Sequence, residues 1–251
     1  TMLTFKNVTF QYKEEDFSII DHLFFHVEDG EFVSIIGPSG CGKSTIFRLV
    51  NRLQDPKSGE ILVDGMPIDS QKHYCGYMPQ QDMLLPWRTV LENIRLPLEI
   101  QGGFSNSGMN QRAEQALAAV GLEGQGRKFP KELSGGMRQR VAFARTVLTG
   151  SNLLLLDEPF SALDYLTRLT MREWLLEQWE RERKTILFVT HDVEEALFLS
   201  SRVLAAEGAP ITRLRSFRVP AGYPRTLATL QQSEMLVQKE HLIAMLRRKV
   251  S

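Results

Sequence analysis

Three short apolar runs stand out along an otherwise mixed chain: Phe32 to Ile36, Leu153 to Leu156 and Ile186 to Val189. They are too short for helices and are bounded by polar or turn residues, the pattern of strands buried on both faces of a parallel sheet. Each passes directly into polar residues: Gly37 to Ser44, Asp157-Glu158 and His191. Ligands of open α/β sheets collect at the carboxyl ends of the strands, so these three segments are expected at one crevice. Helical periodicity predicts helices at about 43–53, 110–120, 135–148, 165–183, 192–200 and 233–249, with more strand-like stretches near the amino end. Glu99 to Asn110, carrying Gly102-Gly103 and Ser105-Asn106-Ser107-Gly108, reads as a loop between helices. Residues 202–230, with Pro210, Pro220 and Pro224, read as a small irregular appendage before a last amphipathic helix. There is no internal repeat and no low-complexity tract.

A chain of 251 residues accommodates one large domain, or one domain with a small appendage, around a substantial core. No apolar stretch approaches the roughly eighteen residues that cross a bilayer, and the amino end lacks a secretion pattern. A cytosolic chain is therefore expected, with any membrane path belonging to another subunit. The two cysteines, Cys41 and Cys75, cannot build a disulfide framework, and neither has the neighbours of a metal site. Formal charge balances at 30 against 30, yet residues 202–251 hold nine Lys or Arg against three Glu. Such a basic tail is either a solvated helical face or a surface that approaches an anionic membrane or partner.

The first strand leads into Gly37-Pro38-Ser39-Gly40-Cys41-Gly42-Lys43-Ser44-Thr45. A glycine-rich loop can turn its backbone N–H groups inward around a polyphosphate where side chains would obstruct the approach. Lys43 is suited to neutralise the outer phosphates. Ser44 opens the following helix, whose unpaired N–H groups favour the same anion, and its hydroxyl is suited to ligate Mg²⁺. Cys41 lies between this lysine and a helix start, both of which favour a thiolate, so it is expected to be reactive; the alternative is a small apolar filler.

Leu133-Ser134-Gly135-Gly136-Met137-Arg138-Gln139-Arg140 opens another helical pattern, with Ser134 and the exposed N–H groups of Gly135 and Gly136 at its positive end. The leucine run Leu153 to Leu156 then ends in Asp157-Glu158-Pro159. Asp157 can support Mg²⁺, and Glu158 can orient and deprotonate a water.

In this order the motifs resemble the nucleotide-binding subunit of an ABC transporter over residues 3–204, with a helical subdomain at about 85–150 and a carboxyl-terminal appendage at 205–251. The resemblance implies an α/β P-loop fold with a central, mostly parallel sheet and antiparallel strands at the amino end. By it, Gly37 to Thr45 is the Walker A loop, Ser134 to Met137 belongs to the signature motif, and Asp157-Glu158 closes Walker B. Met137 replaces the commoner glutamine of the signature. Tyr12 matches the aromatic that stacks on adenine, and Gln80 the glutamine that reaches Mg²⁺ and the attacking water. Ser161-Ala162-Leu163-Asp164 matches the D-loop, and Thr190-His191-Asp192 carries the switch histidine that contacts the γ-phosphate.

The stretch from Leu84 to Ile94, together with His191 to Ala196, is similar to importers of nitrate, sulfonates, taurine and thiamine-precursor pyrimidines. Leu84-Leu85-Pro86-Trp87 is either ordinary core or part of a groove for a cytoplasmic helix of the membrane subunit. The implied assembly is a head-to-tail homodimer that binds ATP and Mg²⁺, sits peripherally on the inner face of the cell membrane, and works with a separate permease and an extracytoplasmic solute-binding protein. Nucleic acid is not an expected partner. A non-transport ABC ATPase acting on nucleic acid or ribosomes would bring coiled coils or a second cassette, and neither is present in the sequence. A P-loop kinase or GTPase would leave the Ser-Gly-Gly signature unexplained, and the Asn-Lys-x-Asp guanine motif is absent. A module that holds ATP without turnover would not need Glu158 and His191.

Overall fold

The computed structural model describes residues 3–247. The chain divides into two compact units, Thr1–Tyr74 with Arg172–Ser251, and Cys75–Met171.

The first segment of the first unit holds strands β1 (Leu3–Phe10), β2 (Ile20–Val27) and β3 (Phe32–Ile36), helix α1 (Lys43–Val50), and strands β4 (Ser58–Val63) and β5 (Met66–Pro67). An antiparallel sheet runs in the order β2-β1-β4-β5. Its central strand pairs Leu3 with both Val27 and Val63, and the stacked rings of Phe5 and Phe25, 4.5 Å apart, close the apolar face. Every residue of β3 is buried, as its apolar residues demand, and the one polar member, Ser34, is paired with the Ser200 hydroxyl.

The second unit contains β6 (Cys75–Met78), α2 (Val90–Gln101), α3 (Asn106–Ala119), α4 (Gly135–Val147) and β7 (Leu153–Asp157). β6 pairs in parallel with β7, Cys75 opposite Leu153 and Met78 opposite Leu156. α2 begins with a capping box in which the Thr89 hydroxyl accepts from the Glu92 N–H and the Glu92 carboxylate accepts from the Thr89 N–H. The expected loop at 99–110 is shorter than its glycines and serines suggest. α2 runs through Gln101, and Ser105 caps α3 by accepting from the Gly108 N–H.

α5 (Tyr165–Glu182) runs from the second unit into the first, whose second segment adds β8 (Thr185–Val189), α6 (Val193–Leu199), β9 (Arg202–Ala206), β10 (Leu214–Arg218) and α7 (Ser233–Arg247). β3 lies between β8 and β9 and is parallel to both, and β10 runs antiparallel to β9. Residues 202–230 are thus less irregular than their prolines suggest, because β9 takes its shape from pairing with β3 rather than from a local pattern. α7 packs Met235 and Leu242 onto Val193, Ala196 and Leu197 of α6. The last two positions of the expected final helix, 248 and 249, lie outside the described residues. Among the described residues, no helix is long and apolar enough to cross a membrane.

Candidate functional site

In the first unit, β3 feeds Gly37 to Thr45 into the start of α1. Gly40 has φ +76° and Gly42 φ +108°, values at which an L side chain is strained. Gly42 is the residue preceding the helix, and a Cβ there would lie 2.5 Å from Cγ2 of Ile19. A Cβ on Gly37 would lie 2.9 Å from Cβ of Ala206. Gly37 and Gly42 are thereby bare backbone because the protein's own wall leaves no room for a side chain. Lys43 is buried, and its ammonium donates to the carbonyls of Gly37 (2.9 Å) and Pro38 (2.8 Å), which folds the side chain back across the loop. Ser39 and Gly40 lie on the exposed side, while Ser44 and Thr45 fall in the first turn of α1.

Tyr12 is brought to this helix. Its hydroxyl lies 3.3 Å from Oγ1 of Thr45 and accepts from Arg48 at 3.0 Å, while its ring meets Phe10 edge-on. His191 follows β8, the parallel neighbour of β3, so its segment and the glycine loop leave the sheet at the same end. The Thr190 N–H donates to the Ile35 carbonyl, one residue short of the end of β3.

Cys41 departs from the expected reactive thiol. It is 3 % exposed and sits against Gly37. Burial pushes its thiol up more than the neighbouring Lys43 charge and backbone N–H groups pull it down. The alternative reading, a small apolar filler, is the one the packing supports.

In the second unit, Asp157 is the buried last residue of β7 and Glu158 the first beyond it. Glu158 has φ +47°, rare for a side chain of that size and a mark of local strain. Its carbonyl accepts from Ser161 N–H (3.2 Å), Ser161 Oγ (3.0 Å) and Gln139 Nε2 (3.2 Å). Its carboxylate accepts from Nε2 of Gln80, beyond β6, at 3.2 Å. The fold therefore brings Gln80 and Glu158 together.

Ser134 caps α4 by accepting from the Met137 N–H at 3.2 Å, and with Gly135 it remains exposed. A Cβ on Gly136 would come within 3.4 Å of the Ala162 carbonyl, so the start of α4 lies close against the segment leading to Asp164. A cleft of about 380 Å³ is lined by Gln80, Met83, Gly135, Arg138 and Ala162. The hydroxyl and N–H of Thr167 hold the Asp164 carboxyl below the usual carboxylate range.

Gln139 is the functional candidate that sequence reasoning passed over. Buried at 4 % exposure, it donates to the Glu158 carbonyl and to Ser161 Oγ and accepts from the Ala162 N–H at 2.8 Å. The available signal was a glutamine on the inward face of a helix whose next buried residues, Val141 to Ala144, are all apolar.

Leu84 turns inward, whereas Trp87 is 71 % exposed and does not join a core. The buried amide of Asn93 accepts from the Leu85 N–H and donates to the carbonyls of Leu85, Arg88 and Thr89, so the exposed indole stands on a pinned turn.

The family model described as ABC transporter matches residues 20–161. The chain is 44% identical over 238 residues to the formylaminopyrimidine import ATP-binding protein ThiZ of Halalkalibacterium halodurans, covering 93% of this chain and 90% of that one. It is 40% identical over 227 residues to the aliphatic sulfonates import ATP-binding protein SsuB of Bacillus thuringiensis, covering 89% of each. Among solved structures, the dimeric ATP-binding cassette MJ0796 bound to ADP and Pi superimposes with a TM-score of 0.80 at 31% identity, covering 88% of this chain and all of that one. Matches of this extent to both sequences and cassettes, on a glycine loop and strand-end carboxylates in the expected order, make the chain a member of the ABC transporter family.

Proposed function

We propose that this chain is the ATP-hydrolysing subunit of an importer, acting as a head-to-tail homodimer to drive a small solute through a separate permease. The observation that carries this reading is the fixed Glu158 carboxylate with the Gln80 amide 3.2 Å away, a base and a water-orienting group already paired. The relatives named for formylaminopyrimidine and aliphatic sulfonates support import of a small polar organic solute. The solute itself is captured by an extracytoplasmic binding protein rather than by this chain. The chain works at the cytoplasmic face of the membrane, without nucleic acid.

In this reading the N–H groups of Gly37 to Thr45 and the Lys43 ammonium bind the phosphates, and Tyr12 stacks on adenine. Phosphate oxygens take the place of the two carbonyls that Lys43 now meets. Ser44, Asp157 and Gln80 are the residues that would hold Mg²⁺. Among the described residues no cluster of three His, Cys, Asp or Glu side chains forms a metal cage. Oxygen donors in that small number suit an ion that keeps waters and phosphate oxygens as its other ligands. When bound, the ion neutralises negative charge on the phosphates.

Glu158 removes a proton from the water that Gln80 orients. The water oxygen bonds to the γ-phosphorus as the bond to the ADP oxygen breaks, giving ADP and phosphate. His191 holds the γ-phosphate during this step. Ser134, Gly135 and Gly136 of the second copy complete the phosphate contacts, with Asp164 beside them, so closure of the dimer depends on ATP and hydrolysis releases it. Reconstitution with the permease and binding protein in vesicles tests the whole reading: ATP-dependent solute uptake that Glu158→Gln abolishes is expected. Uptake that proceeds equally with the variant would reject it.

A further inference from the structure

His191 is exposed, yet the residues on either side of it belong to a closed ring of polar contacts. Arg172, on α5 and 6 % exposed, donates from Nε to Glu195 Oε1 (2.8 Å) and from Nη2 to Asp192 Oδ2 (2.8 Å). The other Glu195 oxygen accepts from the Thr190 hydroxyl at 2.5 Å. That hydroxyl oxygen in turn accepts from the Asp192 N–H at 3.0 Å. The second oxygen of Asp192 caps α6, accepting from the N–H groups of Glu194 (2.8 Å) and Glu195 (3.1 Å).

One guanidinium therefore joins two carboxylates that follow the histidine, at the start of α6, and no lysine could reproduce both contacts, because an ammonium lacks the planar fork. We propose that Arg172 is a positioning residue for His191, setting the backbone of residues 190–192 through Asp192, Glu195 and Thr190. This rests on the reading of His191 as the group that meets the γ-phosphate. Glu195 is 5 % exposed, and its Oε1 lies 2.7 Å from Arg172 Nη2, so removing the cation would leave a buried carboxylate without its ion pair. α7 braces the far side of α6, with Lys239 paired to Glu194. The ring thus sits on a helix held from two directions, and its geometry reaches the histidine through a single peptide on each side.

The test is a double-mutant cycle on the full chain with MgATP, using Arg172→Lys and, as a second entry into the ring, Thr190→Val. If a misplaced group acts in the transition state, either variant should lower kcat by about tenfold to 10²-fold with little change in KM. In a His191→Ala background the same substitutions should remove less than twofold of the remaining rate, because the group they position is gone. Multiplicative losses in that background, or wild-type kcat in both single variants, would overturn the proposal. His191→Ala with wild-type turnover would instead sink the reading of the histidine itself, an outcome separable from the other two. If Arg172→Lys proves unstable by thermal unfolding, the Thr190→Val arm of the cycle decides alone.

Discussion

Gln80 Nε2 donates to Glu158 Oε2 at 3.2 Å, joining an amide that follows β6 to a carboxylate that follows β7. The two strands are parallel neighbours, so the pairing is set by the sheet rather than by a flexible loop. Glu158→Gln removes the base and its charge while keeping the shape. Hydrolysis should fall by about 10²-fold or more while ATP affinity by calorimetry stays near wild type. Turnover close to wild type in the purified variant would remove Glu158 from the role of base.

Gly42 provides a test of the loop that needs no chemistry. Gly42→Ala places a methyl 2.5 Å from Ile19 Cγ2 at a φ of +108°, so unfolding should become easier by about 2 kcal/mol and ATP binding should weaken. The companion substitution Ile19→Ala relieves the contact but not the dihedral. Partial recovery of the urea midpoint is expected; full recovery would show that crowding alone was responsible.

Gln139 makes a different kind of prediction, because its work is to hold backbone. Replacing it by leucine keeps the volume and leaves the Ala162 N–H without its acceptor at 2.8 Å. A loss of about 1–3 kcal/mol is expected for a buried group left unsatisfied, measured as a shift in the denaturant midpoint. No shift would mean that another acceptor replaces the glutamine.

Ser134 is exposed at the start of α4, so Ser134→Arg should leave the monomer folded while blocking ATP-dependent dimerisation. Light scattering with the Glu158→Gln change in the same chain reads this directly. Mixed with a Lys43→Ala chain, which should bind ATP poorly, the arginine variant can form one composite site with both elements intact and should regain part of the activity. Rates that merely average the two chains would defeat the head-to-tail arrangement.

Neither thiol should react quickly in the folded protein. Cys41 is raised by burial, and burial pushes Cys75 up to about 12. Both stay protonated at neutral pH, so maleimide labelling followed by mass spectrometry should find them unmodified until denaturant is added. Rapid labelling of Cys41 in the native state, slowed by nucleotide, would restore the reactive-thiol expectation.

The contiguous features were legible in the sequence, and the ones assembled from distant segments were not. β3, β7 and β8 announce themselves as apolar runs that need no partner to be recognised. α2 was harder, since Pro97 lies inside it and only the Thr89/Glu92 capping box marks its start. β10 carries the polar sequence Leu-Arg-Ser-Phe-Arg, and its identity as a strand comes from lying along β9. The same division holds at the site. The glycine loop and the strand-end acids are local motifs, whereas Arg172 and Gln139 acquire meaning only through contacts 20 to 23 residues away. Cys41 shows the same division: in the sequence it stands beside Lys43, but the groups packed around it exclude water.

The position of β3 between β8 and β9 also bears on how the chain is made. β1, β2 and β4 all emerge early and can pair at once, while β3 must wait for strands that come much later; one tie across that gap, Gly30 to Thr185, spans 155 residues. At about 5–20 residues per second, that is on the order of ten seconds during which four apolar residues and Ser34 have neither edge covered. An uncovered strand of this kind is a template for pairing with other chains. Truncation before β8 should therefore yield an aggregate rather than a smaller folded domain.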